Sequence, residues 1–469
     1  MTNASTAVVW FRRDLRLHDH EALTAAAANS NKLVCLYVLD DRLLSGKNGS
    51  ANRAWFLKES LTELGEALAA RGSELLVARG LAEQIVPAVA KAAGASSVFV
   101  SRDYSPFGSQ RDHRVARMLG EGGIAFLESP GVLAVEPELV VHPNGGVFSV
   151  FGAFYRRWTA APRRPVLPAP VRIPGPDGLL FGSQLASWQP ERPAAALLPG
   201  GEAAARGRLD SWIASGLDTY AGNRDRLDLG GTSRLSQDLR WGLLSPNEVL
   251  ARTEDPEDPK FAQEVAWREF YIHLAWRQPR VLREPFRHDF ARLPWQADGA
   301  LLAAWESGQT GFPVVDAAMR QLVATGWMHN RARMIVASFL TKNLFIDYRA
   351  GERFFMRHLL DGDVAVNNGG WQWASSTGTD AQPYFRVFNP VLQGERFDPE
   401  GVYVRRWLPE LGGVPLRYLH KPWTMPETVQ RTAGCVIGRH YPGPIVSPEG
   451  AVQRARAFFA AAGEPAGIR

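Results

Sequence analysis

Short apolar runs recur along the first third of the chain, each separated from the next by a stretch long enough for a helix. Ala7–Trp10, Leu33–Leu39, Glu74–Ala78, Ser97–Val100 and Ala125–Leu127 predict buried strands. Between them, Glu21–Asn29, Asn52–Arg71, Ala82–Ala93 and Ser109–Gly120 have helical spacing, with Asp19 in position to cap the first. This alternation predicts an α/β fold: a doubly wound, parallel five-stranded sheet with right-handed crossovers and helices on both faces. Such sheets bind ligands in a crevice at the carboxyl ends of their strands. No GxGxxG follows the first strand, so dinucleotide binding is not expected there.

The pattern then breaks. Nine prolines fall between Pro162 and Pro199, together with Gly175, Gly178 and Gly182. Proline removes a backbone donor and fixes φ, so little regular structure is expected in this run. From about Glu202 the spacing is helical and rich in aromatic residues, without strand alternation. The expected organisation is an α/β domain over 1–130, a connector over 131–205 and an all-α domain over 206–469.

Composition narrows the class. The chain of 469 residues is 45% hydrophobic and 22% charged, which suits a globular protein with a sizeable core. A net charge of +5 admits an acidic partner without choosing between DNA, RNA and a phosphorylated ligand. Cys35 and Cys435 make neither a metal cluster nor a disulfide framework, so no metal and a reducing, cytoplasmic setting are expected. The first apolar run meets Arg12, Arg13 and Asp14 at once, unlike a signal peptide, and no segment reads as a membrane span.

Candidate chemistry lies in the helical part. In QEVAWREFY, the spacing of Glu264, Trp267, Arg268 and Tyr271 puts them on one helical face. They form either a pocket wall or a buried ion pair beside core aromatics. In GWMHNRARM, Asn330, Arg333 and Met334 share a face and Arg331 points elsewhere, which also describes an ordinary basic helix. The stretch Asp361–Arg386 places Asn367, Asn368, Gly369, Gly370, Trp371 and Trp373 close together. Amides beside indoles and close-approach glycines suit a planar heteroaromatic ligand or unstacked bases. GTSRLS at Gly231–Ser236 offers hydroxyls and N–H groups for phosphate, or simply a helix cap.

At these residues the chain resembles the photolyase/cryptochrome family, in particular the class I bacterial cyclobutane pyrimidine dimer photolyases. The matching pieces are VVWFRRDLRLHD (Val8–Asp19), GTSRLS, EVAWREFY, TGFPVVDAAMRQL (Thr310–Leu322), TGWMHNRARM (Thr325–Met334) and NNGGWQWASSTGTDAQPYFR. The resemblance implies FAD in the helical domain. Thr232, Ser233, Leu235 and Ser236 would lie at its phosphates, with Tyr220 and Arg268 closing the site. Arg333 and Asp361 would pair beside the isoalloxazine, Asp363 would lie at its edge, and Asn367 would face N5. In the lesion pocket Glu264 would hydrogen-bond the dimer, Asn330 and Met334 would touch its bases, and Trp267 and Trp373 would wall it. Arg224, Arg331 and Arg386 would hold DNA phosphates. The implied activity is light-driven: photoexcited reduced FAD donates an electron to a flipped-out dimer in single- or double-stranded UV-damaged DNA. A monomer is expected.

Two departures stand out. The family's electron chain to the surface maps to Trp371, Tyr348 and Trp295, with tyrosine at the middle position where tryptophan is usual. In folate-binding relatives a glutamate follows the fourth strand, but here the stretch is DYSPFGSQRD, with Ser105 near that place. The second, antenna chromophore is therefore expected to be 8-hydroxy-5-deazaflavin in preference to methenyltetrahydrofolate. Repair of (6-4) photoproducts is disfavoured, because such enzymes carry a histidine pair at the positions of Asn330 and Met334. A cryptochrome-type photoreceptor is disfavoured by Asn367, by the complete lesion set and by an end at Arg469 without a low-complexity tail.

Overall fold

The computed structural model describes residues 5–46, 49–176 and 182–461. The five apolar runs form β1 (Thr6–Phe11), β2 (Lys32–Leu39), β3 (Leu75–Arg79), β4 (Ala95–Ser101) and β5 (Ala125–Ser129). They make one parallel sheet in the order β3-β2-β1-β4-β5. Alternate residues serve opposite cores. Val8, Trp10, Val34 and Leu36 pack on one face, closed by Val86 and Val89 of Ala82–Ala92 and by Val115 and Leu119 of Pro106–Glu121. Ala7, Val9, Phe11, Leu33 and Cys35 pack on the other, against Leu23 of Glu21–Asn29 and Phe56 and Leu57 of Ala51–Ala69. Burial on both faces explains the unbroken apolar runs.

Two expectations are corrected here. Ala125–Leu127 is not a buried strand: β5 is an edge with a neighbour on one side only, and Leu127 is 41% exposed. Asp19 does not cap the first helix. His20 does, its Nδ1 accepting from Leu23 N–H, while Asp19 at φ +53° holds Arg164 and the Leu167 N–H.

The proline-rich run carries no helix or strand among its described residues, and Gly178 lies outside them. Before it stands one helix, Phe151–Ala160, and after it the helical region opens with Glu202–Ser215. The core beneath β1 and β2 runs on into this region through Trp158, Leu209, Trp241 and Phe270. A second core surrounds Trp305, Met319, Phe339 and Trp371. The junction is tight where the loop after β1 meets the end of Ser236–Trp241. Gly242 ends that helix at φ +66°, and a side chain there would collide with the Arg13 backbone. Arg16, wholly buried, donates from the same loop to Gly242 O, Asp19 O and Gly131 O. No helix of the described residues is long and apolar enough to cross a membrane.

Candidate active site

Between the helical elements lies a cavity of about 440 Å³. One wall is the helix Lys260–Arg277, which runs unbroken by proline or glycine until Pro279 ends it. Its predicted face does face the cavity: Glu264, Trp267, Arg268 and Tyr271 all line it. Trp267 stacks on Phe151 at 3.8 Å between centroids and 7° between planes, so the indole is fixed from behind by the connector helix. Such a pair is worth about 0.5–1.5 kcal/mol beyond its buried area. Arg268 donates to the carbonyls of Val132 and Leu239. Glu264 pairs with Arg224 at 2.7 Å, and both line the cavity. Burial raises the Glu264 carboxyl above its usual range, and Arg224 only partly opposes this.

The helix Asn330–Lys342 supplies a second wall. His329 caps it, accepting from Arg331 N–H at 3.1 Å; burial brings the imidazole down to about 4, so it is neutral and able to accept. Asn330, Arg333 and Met334 line the cavity. Arg331 turns away to Asp225 at 2.7 Å and covers the Phe397 ring. Arg333 pairs with Asp361 at 2.8 Å.

The third wall is helical despite its paired glycines. Asp363 caps Val364–Ala374 by accepting from Ala365 and Val366 N–H, which offsets part of the glycine cost. Gly369 is needed for close approach, since a β-carbon there would enter the Tyr271 ring. Asn367 lines the cavity and donates its amide to Glu352 O at 3.0 Å. Asn368, buried, donates to the Glu352 carboxylate at 3.1 Å instead. Trp371 and Trp373 complete the wall. Tyr220, Thr232, Ser233, Leu235 and Ser236 also line the cavity. The capping alternative for GTSRLS fails: Leu235 is the N-cap of Ser236–Trp241 and no side chain caps it.

Three assigned groups lie outside the cavity lining besides Arg331. Arg386 is exposed on the loop after Trp373. Tyr348 is buried 6.5 Å from the half-buried Trp295, ring centroid to ring centroid. Trp305, unassigned from sequence, lies 6.0 Å from Trp371.

Comparison with known proteins decides the family. Residues 7–173 match the family model described as DNA photolyase, and residues 261–461 match that described as FAD binding domain of DNA photolyase. The chain is 40% identical to an Escherichia coli deoxyribodipyrimidine photo-lyase over 97% of its own length and 99% of the relative. This chain belongs to the DNA photolyase family. Among solved structures, a bacterial class III photolyase from Agrobacterium tumefaciens superposes with TM-score 0.93 at 36% identity, covering 98% of each chain. A Synechocystis cryptochrome superposes with TM-score 0.89 at 32% identity, covering 98% of this chain and 100% of that one.

The chain is an enzyme of this family, and its helical region carries the family's FAD-binding domain. The cavity residues fit that cofactor. Asp361 Oδ1 is buried without a hydrogen-bond partner, an acceptor left over in the cavity wall. The lining combines the Thr232, Ser233 and Ser236 hydroxyls with aromatic rings and the Asn330 and Asn367 amides.

Sequence reasoning assigned no role to Arg13, although it stands in a quoted motif. Arg13 leaves the sheet domain and pairs with Asp363, and it stands 4.0 Å from Asp103. Burial opposes ionisation of Asp363, but Arg13, then Arg240 and Arg268, outweigh it and hold the carboxyl at about 2. The only signal was a basic pair directly after a buried strand. Arg234 and Arg240, also unassigned, line the cavity as well.

Proposed function

We propose that this photolyase repairs cyclobutane pyrimidine dimers in DNA under near-UV or blue light. One observation carries the reading: a single cavity is lined both by the groups matched to the flavin and by all five matched to the dimer, Glu264, Asn330, Met334, Trp267 and Trp373. When bound, reduced FAD supplies the photoexcited electron that opens the cyclobutane ring.

The chain's own residues bind, orient and exclude water. The hydroxyls of Thr232 and Ser233 and the backbone at Leu235 and Ser236 would hold the phosphates, with Tyr220 and Arg268 closing the site. Asn367 is pinned through its NH₂ to Glu352 O, so its amide oxygen remains for the flavin edge. The Arg333–Asp361 pair would lie beside the ring system, with Asp363 at its edge. Trp267, rigid on Phe151, and Trp373 form an apolar wall for a flipped-out dimer. Glu264, whose carboxyl burial raises above its usual range, hydrogen-bonds the dimer's carbonyl and imide edge, where negative charge develops. A DNA phosphate competes for Arg224 and releases Glu264 for that task. Arg331 and Arg386 take neighbouring phosphates.

An antenna chromophore in the sheet domain belongs to this reading. Ser105 caps the helix after β4 through Gly108 N–H, and no glutamate follows that strand, which supports 8-hydroxy-5-deazaflavin over methenyltetrahydrofolate. The second functional reading is a photoreceptor, favoured by the cryptochrome neighbour. Oligonucleotides bearing one cyclobutane dimer or one (6-4) photoproduct separate the readings. Light-dependent loss of the cyclobutane dimer alone is expected; loss of the (6-4) lesion alone, or of neither, overturns the proposal.

A further inference from the structure

The helix that presents Asn330 and Met334 to the cavity ends in a lysine with no exposed surface. Among the described residues Lys342 has no carboxylate partner. Its Nζ donates to Arg386 O at 3.3 Å and to Pro383 O at 3.5 Å, both long contacts. Those carbonyls bound a single turn, closed by Arg386 N–H to Pro383 O at 2.9 Å. The turn holds Arg386 and the 42% exposed Phe385 outward. Within the turn the Tyr384 ring packs on Phe459 at 5.5 Å between centroids, and the segment is hydrogen-bonded before the turn and after it. Asp380 bonds Ser149 O and Phe151 N–H, Gln382 bonds Trp373 O, and Phe388 N–H meets Ser338 Oγ. The side chain that meets the backbone carbonyls of the turn is the lysine.

We infer that Lys342 is a positioning residue: its ammonium holds the Pro383–Arg386 turn in place for DNA and makes DNA binding proton-linked. This rests on the reading of Arg386 as a phosphate contact. A buried cation met only by carbonyls is costly, and packing alone would be served as well by methionine. Its place at a helix C-terminus offsets part of that cost.

Burial, and after it the Arg386 cation, bring the Lys342 ammonium down to about 7. The acidic groups on the elements packed around it are engaged elsewhere. Glu395 pairs with Lys421, Glu352 binds Asn368, Asp363 binds Arg13, Asp316 is held by Thr310 and Tyr441, and Arg320 pairs with Glu410. Arg386 is the charge that faces it. A DNA phosphate arriving at Arg386 offsets that cation and favours the ammonium, so the complex binds the proton more tightly than the free protein. Binding takes up a proton, and affinity falls as pH rises through 7. Below that window the amine is charged in both states and the effect is constant.

The test uses FAD-loaded full-length protein and a duplex with one thymine dimer, at fixed salt, from pH 6.5 to 8.5. Wild-type affinity is expected to fall by up to about tenfold per pH unit, the limit for one linked proton. Lys342→Met should bind about tenfold more weakly at pH 6.5, lack this slope and converge with wild type at pH 8.5. Lys342→Gln keeps a donor for the carbonyls without a charge; it should also lack the slope, and it is read in place of Lys342→Met if that variant does not fold. A purely structural lysine would weaken binding equally at every pH. Such a uniform loss, or the same slope in variant and wild type, overturns the inference. A wild type that does not prefer dimer-bearing to undamaged duplex overturns the repair reading instead, and the pH slopes can still be compared on undamaged duplex.

Discussion

The crevice at the carboxyl ends of β1 and β4 and the cavity of the helical region are built from the same chemistry and left in different states. At the crevice, Asp112 is held at one oxygen by Arg12 and at the other by Arg111 at 2.9 Å. Asp103 accepts from Ser105 N–H at one oxygen and from Arg111 at the other. Arg12 and Arg111 both cover the Trp10 ring at 4.8 Å. In the cavity, Arg333 holds one oxygen of Asp361 and the second has no partner. A cluster whose carboxylates are saturated serves the fold; a lining with an unspent acceptor serves a ligand. A cofactor entering the cavity would meet that free acceptor, whereas any ligand at the crevice would have to part or skirt existing pairs.

Breaking one arginine in each region gives the largest contrast. Arg333→Met should weaken FAD binding by about tenfold to a hundredfold, the value of a hydrogen bond to a charged group, measured by flavin fluorescence titration. Arg12→Met should leave FAD affinity nearly unchanged and lower the unfolding midpoint instead, since losing one partner of a buried pair costs about 3–5 kcal/mol. Equal loss of FAD in both variants would erase the distinction.

A smaller effect is expected from the proposed electron route through Trp371, Tyr348 and Trp295. Tyr348 is buried, its hydroxyl has no hydrogen-bond partner, and burial raises its pKa above the usual phenol value. A phenol oxidised there has no base in contact to take its proton. Trp305 is near enough to Trp371 to accept a hole, but it is fully buried and gives no outlet to solvent. Tyr348→Trp should therefore speed photoreduction of oxidised FAD severalfold, as seen by transient absorption, and leave repair by pre-reduced enzyme unchanged. Identical photoreduction rates would show that Tyr348 does not limit the route.

Within the cavity, Glu264→Ala should lower the repair quantum yield by about twofold to tenfold, the range of one hydrogen bond, with FAD content unchanged. The smallest effect is expected at the rim. Arg331→Ala should reduce the salt dependence of DNA binding by about one unit of slope and weaken damaged and undamaged DNA alike. A loss confined to damaged DNA would make Arg331 a lesion reader.

The sheet was legible because its inner strands are buried on both faces and leave continuous apolar runs. β5 was misread because a short run cannot say whether a second strand flanks it. The helix Phe151–Ala160 had its own signal in the spacing of Phe151, Phe154 and Trp158, overshadowed by the prolines that begin at Pro162. Every residue assigned to FAD or to the dimer lines the cavity; helical spacing pointed to the faces of Lys260–Arg277 and Asn330–Lys342, whereas Tyr220, Asp361 and Asp363 were named by motif resemblance alone. The Arg13–Asp363 and Lys342–Arg386 contacts were out of reach. One spans 350 residues, and the other joins a side chain to a backbone carbonyl 44 residues away, which no spacing rule encodes.

The central claim is that one cavity holds flavin and dimer together. The fluorescence lifetime of reduced FAD in the protein, with and without a dimer-bearing oligonucleotide, tests it most directly. The account predicts a shorter lifetime when the dimer is bound, no change with the undamaged oligonucleotide, and partial recovery in Glu264→Ala. A lifetime unaffected by bound dimer would contradict it.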